Sequence, residues 1–151
     1  MQNGAVRMAS ELPKVIIPRE EYDKMLSHAV SEKPAEACGL LGGYAENDGQ
    51  IIISKVYLLD NDDKSAEHFT IVPEQHLAAV KDMRSLGLSP VGNWHSHPNT
   101  PSRPSDEDIR LAYDKNAVYM ILSLAETEPV LNAFRIANKN AVKLTLIITE
   151  D

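Results

Sequence analysis

The spacing of apolar residues changes several times along the chain, and each change marks an element. Residues 14–18 (KVIIP) form a short apolar run, and Pro18 stands where the first turn of a helix tolerates it, so a strand leading into a helix is predicted. Tyr22, Met25, Leu26, Ala29 and Val30 then recur at helical spacing, with Pro34 as the stop. From Gly39 the period shortens. GLLGGYA and QIIISKVYLLD are β-rich, and the Asp48-Gly49 pair between them is a hairpin signal that predicts two antiparallel strands. HFTIV (68–72) reads as a further strand. PEQHLAAVKDMRSLG (73–87) reads as a helix with Leu77, Val80 and Met83 on one face and Gly87 at its C-terminal cap.

The second half repeats the alternation. SPVGNWHSH (89–97) reads as a strand, 99–104 as a loop rich in Pro and Ser, and 105–115 as a helix that opens with three acids in its first turn. AVYMILSL, VLNAFRI and VKLTLIIT are separated by short polar turns and predict an antiparallel meander. The expected fold class is therefore α/β of the α+β kind: a sandwich over residues 13–151 with a mostly antiparallel sheet and about three flanking helices. Residues 1–12 are polar and aperiodic, and are expected to be a disordered leader.

Composition narrows the function. With 151 residues, 43% hydrophobic and 25% charged, the chain fits one globular domain that folds without a structural metal, leaving any metal free for catalysis. Cys38 is the only cysteine, which excludes an intrachain disulfide and a Cys-rich zinc site, so metal ligands must be His and carboxylate. A net charge of −7 argues against a nucleic-acid partner, because non-specific affinity for phosphates comes from Lys and Arg. No apolar run approaches the roughly 20 residues that span a bilayer, and the first dozen residues lack a secretory h-region. No membrane partner and a cytoplasmic location are expected.

Residues two apart on a strand share a face, so His95 and His97 present two imidazoles to one side, while Trp94 points the other way as a core anchor. Two histidines and one carboxylate suffice for a catalytic zinc with an open position. The segment Ser105-Asp106-Glu107-Asp108 offers such a carboxylate, and it also fits an N-terminal capping box in which Asp108 bonds the backbone instead. Cys38 reads as a small buried hydrophobe, and His28 and His76 as surface groups. The role of His68 stays open.

His95-Ser96-His97, Ser105 and Asp108, together with the upstream segment PAEACGLLGG containing Glu36, resemble the signature of the JAMM, or MPN-plus, zinc metalloproteases. The resemblance extends over about residues 14–149 and implies an MPN fold, of the cytidine-deaminase-like kind. It implies one zinc ion with a catalytic water held by His95, His97 and Asp108, with Glu36 as the acid–base carboxylate and Ser105 as the donor to the developing oxyanion. The compact chain looks like the prokaryotic, Mec-type branch, whose substrates are ubiquitin-like or sulfur-carrier proteins cut after a C-terminal Gly-Gly. Two rivals from other classes are a non-catalytic scaffold of the same fold, which would have lost ligands, and a nucleobase deaminase. The latter needs His-x-Glu and Pro-Cys-x-x-Cys, which a single cysteine cannot supply.

Overall fold

The computed structural model describes residues 12–150. Apart from Leu12, which packs partly buried against the core, the expected leader lies outside the described residues. In chain order the elements are β1 (Lys14–Pro18), α1 (Arg19–Glu32), β2 (Cys38–Ala45), β3 (Ile51–Leu59), α2 (Pro73–Ser85), β4 (Ser89–His97), α3 (Asp106–Arg110), β5 (Val118–Ser123), β6 (Val130–Ala137) and β7 (Asn140–Thr149). Among the described residues, no helix is long and apolar enough to cross a membrane.

The strands close into a barrel in the order β1-β3-β2-β4-β5-β6-β7, not the expected sandwich. Closure depends on β1, which pairs in parallel with both β3 and β7. Its inward residues Val15 and Ile17 are fully buried, and pairing on both sides removes two open sheet edges at once. The sheet is also less antiparallel than expected. The β2–β3 hairpin, β2–β4 and the β5–β6–β7 meander are antiparallel, but β4 and β5 run parallel, as a crossover connection requires.

The helices cover the barrel with some faces turned from those the spacing predicts. On α1, Tyr22, Met25 and Ala29 are buried while Val30 is 54% exposed. On α2, Leu77 points to solvent, and Ala79 and Met83, one turn apart, meet Leu40, Tyr57 and Leu59. The small Ala79 allows the close approach that brings Met83 against Gly42. Residues 68–72 do not form a strand. Only Ile71 bridges, to Asn61, because the Asn61 side chain itself takes the backbone partners of this segment, accepting from Thr70 N and donating to His68 O. The helix expected over 105–115 ends at Arg110, where Asp114 opens a side-chain turn onto Asn116 N.

β4 lies between β2 and β5 in the barrel, and its orientation is fixed from the core side. Trp94 is fully buried and its indole donates to Tyr57 O at 3.1 Å. This crossing needs Gly39: a Cβ there would stand 1.7 Å from Tyr57 O and 2.4 Å from Trp94 Nε1. With Trp94 and Ser96 turned inward, Asn93, His95 and His97 share the opposite face.

Candidate metal centre

His95 and His97 are only 3% and 4% exposed, so they are not two incidental surface histidines. Their Nε2 atoms stand 3.2 Å apart. Asp108 Oδ2 lies 3.1 Å from the first and 3.3 Å from the second. A zinc ion bound at 2.0–2.1 Å in tetrahedral geometry separates its ligand atoms by roughly 3.3 Å. The donor triangle therefore has the dimensions of one zinc ion, and these three residues could hold it without moving.

The capping box and the ligand set, read from the sequence as alternatives, coexist. Ser105 Oγ accepts from Asp108 N at 3.0 Å, and Ser105 N donates to Asp108 Oδ2 at 2.9 Å. The cap thus anchors the same oxygen that faces both imidazoles. Burial pushes the Asp108 carboxyl up, but hydrogen bonds with His95 and His97, the charge of His95 and the Ser105 backbone more than reverse this and hold it well below the usual carboxylate range. For the His97 imidazole, burial acts downward, and its bonds to Asp108 and Pro101 O raise it on balance.

Metal-binding histidines usually donate from their second nitrogen, which fixes the tautomer. His97 does so, with Nδ1 at 2.9 Å from Pro101 O. His95 does not: its Nδ1 is buried and has no hydrogen-bond partner among the described residues.

Glu36 reaches the centre through the register of β2 with β4. Cys38 pairs with His95, Ser96 N donates to Ala37 O at 2.9 Å, and Ala37 N donates to Ser96 Oγ at 2.8 Å. Continued by one residue, this ladder sets Glu36 opposite His97. Glu36 is 4% exposed, and burial pushes its carboxyl up to about 8, with His97 opposing the shift. Ser105 is exposed, and among the described residues its hydroxyl accepts from Asp108 N without donating. All five residues expected at the site are therefore brought together.

Cys38 is fully buried, and its thiol is pushed up to about 12, first by burial and then by the charges of Glu36 and Asp60. It stays protonated and carries no nucleophilic chemistry. His68 sits at the mouth of the site with Nδ1 at 3.1 Å from Glu107 Oε1. His28 is half-buried rather than on the surface, with Nε2 at 3.2 Å from Leu59 O and its ring edge-on to Trp94.

Sequence reasoning missed two parts of the centre. One is the 60–72 loop, organised by Asn61, which also donates to Glu36 O at 3.0 Å and brings Phe69 against His95. The other is a cleft of about 240 Å³ beside the ligands, lined by Phe69, Asn93, Leu111 and Tyr119. Neither leaves a periodic trace in the sequence, since the contacts join residues far apart in the chain.

The chain is 28% identical over 109 residues to a CysO-cysteine peptidase of Mycobacterium tuberculosis, covering 72% of this chain and 73% of that protein. It is 30% identical over 114 residues to a desampylase of Haloferax volcanii, covering 73% and 81%. Among solved structures, protein DSY2949 from Desulfitobacterium hafniense superposes with a TM-score of 0.82 at 44% identity, covering 91% of this chain and 94% of that one. The model of the prokaryotic homologs of the JAB domain matches residues 18–137. On the strength of that match, which takes in β2, β4 and α3 with their whole donor set, the chain belongs to the prokaryotic JAB-domain family.

Proposed function

We propose that this chain is a zinc-dependent metallopeptidase that hydrolyses the amide bond after the C-terminal Gly-Gly of a ubiquitin-like or sulfur-carrier protein. The observation that carries the reading is the convergence of His95 Nε2, His97 Nε2 and Asp108 Oδ2 at 3.1 to 3.3 Å. Its relatives, named for peptidase and desampylase activity, give the reading its substrate class.

Zinc, when bound, supplies Lewis acidity, lowering the pKa of water to about 7 and polarising a carbonyl. The chain's own residues account for the rest. His95, His97 and Asp108 would hold the ion, three protein ligands being the usual number for a catalytic zinc. His97 keeps its lone pair on Nε2 by donating Nδ1–H to Pro101 O. Glu36 takes a proton from the attacking water on a carboxylate oxygen and returns it to the leaving nitrogen, which departs poorly unless protonated. Its burial raises its basicity for that task. Ser105 accepts from Asp108 N through a lone pair and donates its O–H to the substrate oxygen as negative charge develops there. A di-glycine tail has no side chains to obstruct close approach, and its main chain can pair with backbone groups at the site.

The rival reading, a non-catalytic scaffold, gives no reason for a buried donor triangle of zinc dimensions beside a buried carboxyl. The test is incubation of the zinc-loaded protein with a Gly-Gly-tailed carrier joined to cysteine, to a lysine side chain or to a peptide. Release of the free carrier supports the reading, and the three leaving groups report its preference. An intact carrier in all three cases would favour the scaffold.

A further inference from the structure

We propose that Phe69 is a positioning residue of the metal centre: stacking on its ring takes the place of a hydrogen bond to Nδ1 in fixing the plane of the His95 imidazole. The inference rests on the reading of His95 as a metal ligand and deepens it.

The two histidines are held in different ways. His97 has the usual support, a carbonyl on Nδ1. His95 has none: its Nδ1 is buried and has no partner among the described residues, so apart from the Nε2 contacts inside the donor triangle no hydrogen bond orients the ring. The ring face is instead covered by Phe69, with centroids 4.8 Å apart and planes inclined by 26°. Stacked aromatic rings at this separation attract beyond simple burial, and at 4.8 Å the two faces are too close for one ring to turn edge-on without the other moving away. A twist of the imidazole loses that contact, so the stack restrains the coordinate that a hydrogen bond would otherwise control.

Phe69 can act in this way because its own backbone is fixed. The buried Asn61 amide donates to His68 O at 2.9 Å and accepts from Thr70 N at 3.0 Å, gripping the chain on both sides of Phe69. His68 ties the same segment to Glu107 of α3, next to Asp108, at 3.1 Å. Glu36 N donates to Ser65 O at 2.7 Å, joining the loop to the proposed acid–base residue. The 60–72 loop thus spans the centre from Glu36 to α3, with Phe69 at the point where it touches a ligand.

The experiment is a competition titration of zinc against a chromophoric chelator, with the visible spectrum of the cobalt(II) form as a second readout. The proteins compared are wild type, Phe69→Leu, Phe69→Met, Phe69→Tyr and His95→Ala. Phe69→Leu and Phe69→Met keep an apolar side chain but lose the flat face, and should bind zinc about tenfold more weakly, the low end of the loss seen when a ligand's orienting partner is removed. Their cobalt bands should shift as well, while Phe69→Tyr, which keeps the face, stays close to wild type in both. Unfolding of the metal-free proteins shows which variants are folded, and either folded aliphatic variant decides. Wild-type zinc affinity in that variant, or equal weakening in Phe69→Tyr, overturns the role of stacking. If wild type itself binds no zinc, or His95→Ala binds it as tightly as wild type, the ligand reading fails first.

Discussion

Glu36→Gln separates turnover from everything else the site does. Glutamine keeps the shape of the side chain but cannot take a proton, so zinc content should be unchanged while kcat falls by about 10² to 10⁴. The structure adds a second, independent consequence. In the metal-free protein burial raises the Glu36 carboxyl from its ordinary 4.5 to about 8. Between those values the unfolded chain has released this proton and the folded one retains it, so wild-type stability falls as pH rises, by about 1.4 kcal/mol per pH unit. Below pH 4.5 the group is protonated in both states and costs nothing; above about 8 the loss levels off. Glutamine never ionises and removes this slope. At pH 7 metal-free Glu36→Gln should therefore be more stable than wild type by about 3 kcal/mol, and at pH 5 by less than about 1. The assay is urea unfolding of chelator-treated protein at the two pH values beside steady-state cleavage of a Gly-Gly-tailed carrier by the zinc form. A stability gain that does not grow with pH would refute the burial argument. A kcat within tenfold of wild type would refute the acid–base role, leaving Glu32 and Glu107 as the nearby acids to test.

His95→Ala or His97→Ala should abolish stoichiometric zinc binding, measured by elemental analysis, with the fold retained in far-UV circular dichroism. Asp108→Ala should lose zinc as well, whereas Ser105→Ala should keep it and turn over slowly, because an oxyanion donor acts on the transition state and a ligand on the ground state. Both should also destabilise the protein by about 1 kcal/mol through the lost capping box, read as a lower melting temperature. Trp94→Phe leaves Tyr57 O without the buried indole donor and should cost about 1 to 3 kcal/mol in urea unfolding while zinc binding persists.

Local elements were legible in the sequence because their signals are local. The Asp48-Gly49 turn, with Gly49 at a φ of 91°, joins β2 to β3 as expected, and β4 spans the nine residues predicted. The donor set was legible because His95 and His97 are neighbours on one strand and Asp108 follows in the next helix. What the sequence hides is long-range. Closure of the barrel rests on β1 reaching both β3 and β7, and no periodicity in KVIIP says which strands it will join. HFTIV has the apolar content of a strand, but Asn61 captures its backbone groups, and a side-chain competitor outside the run leaves no mark within it. Leu77 and Val30 fit a helical stripe in sequence, yet the barrel meets α2 along Ala79 and Met83, and α1 along Met25 and Ala29.

The most direct measurement is the rate of Gly-Gly carrier cleavage as zinc is titrated into chelator-treated protein. If His95, His97 and Asp108 form one catalytic centre, activity is absent without metal, rises linearly, and breaks at one zinc per chain, with no recovery in His97→Ala. Cleavage that persists in the metal-free protein, or a fully zinc-loaded protein that leaves every carrier intact, would contradict it.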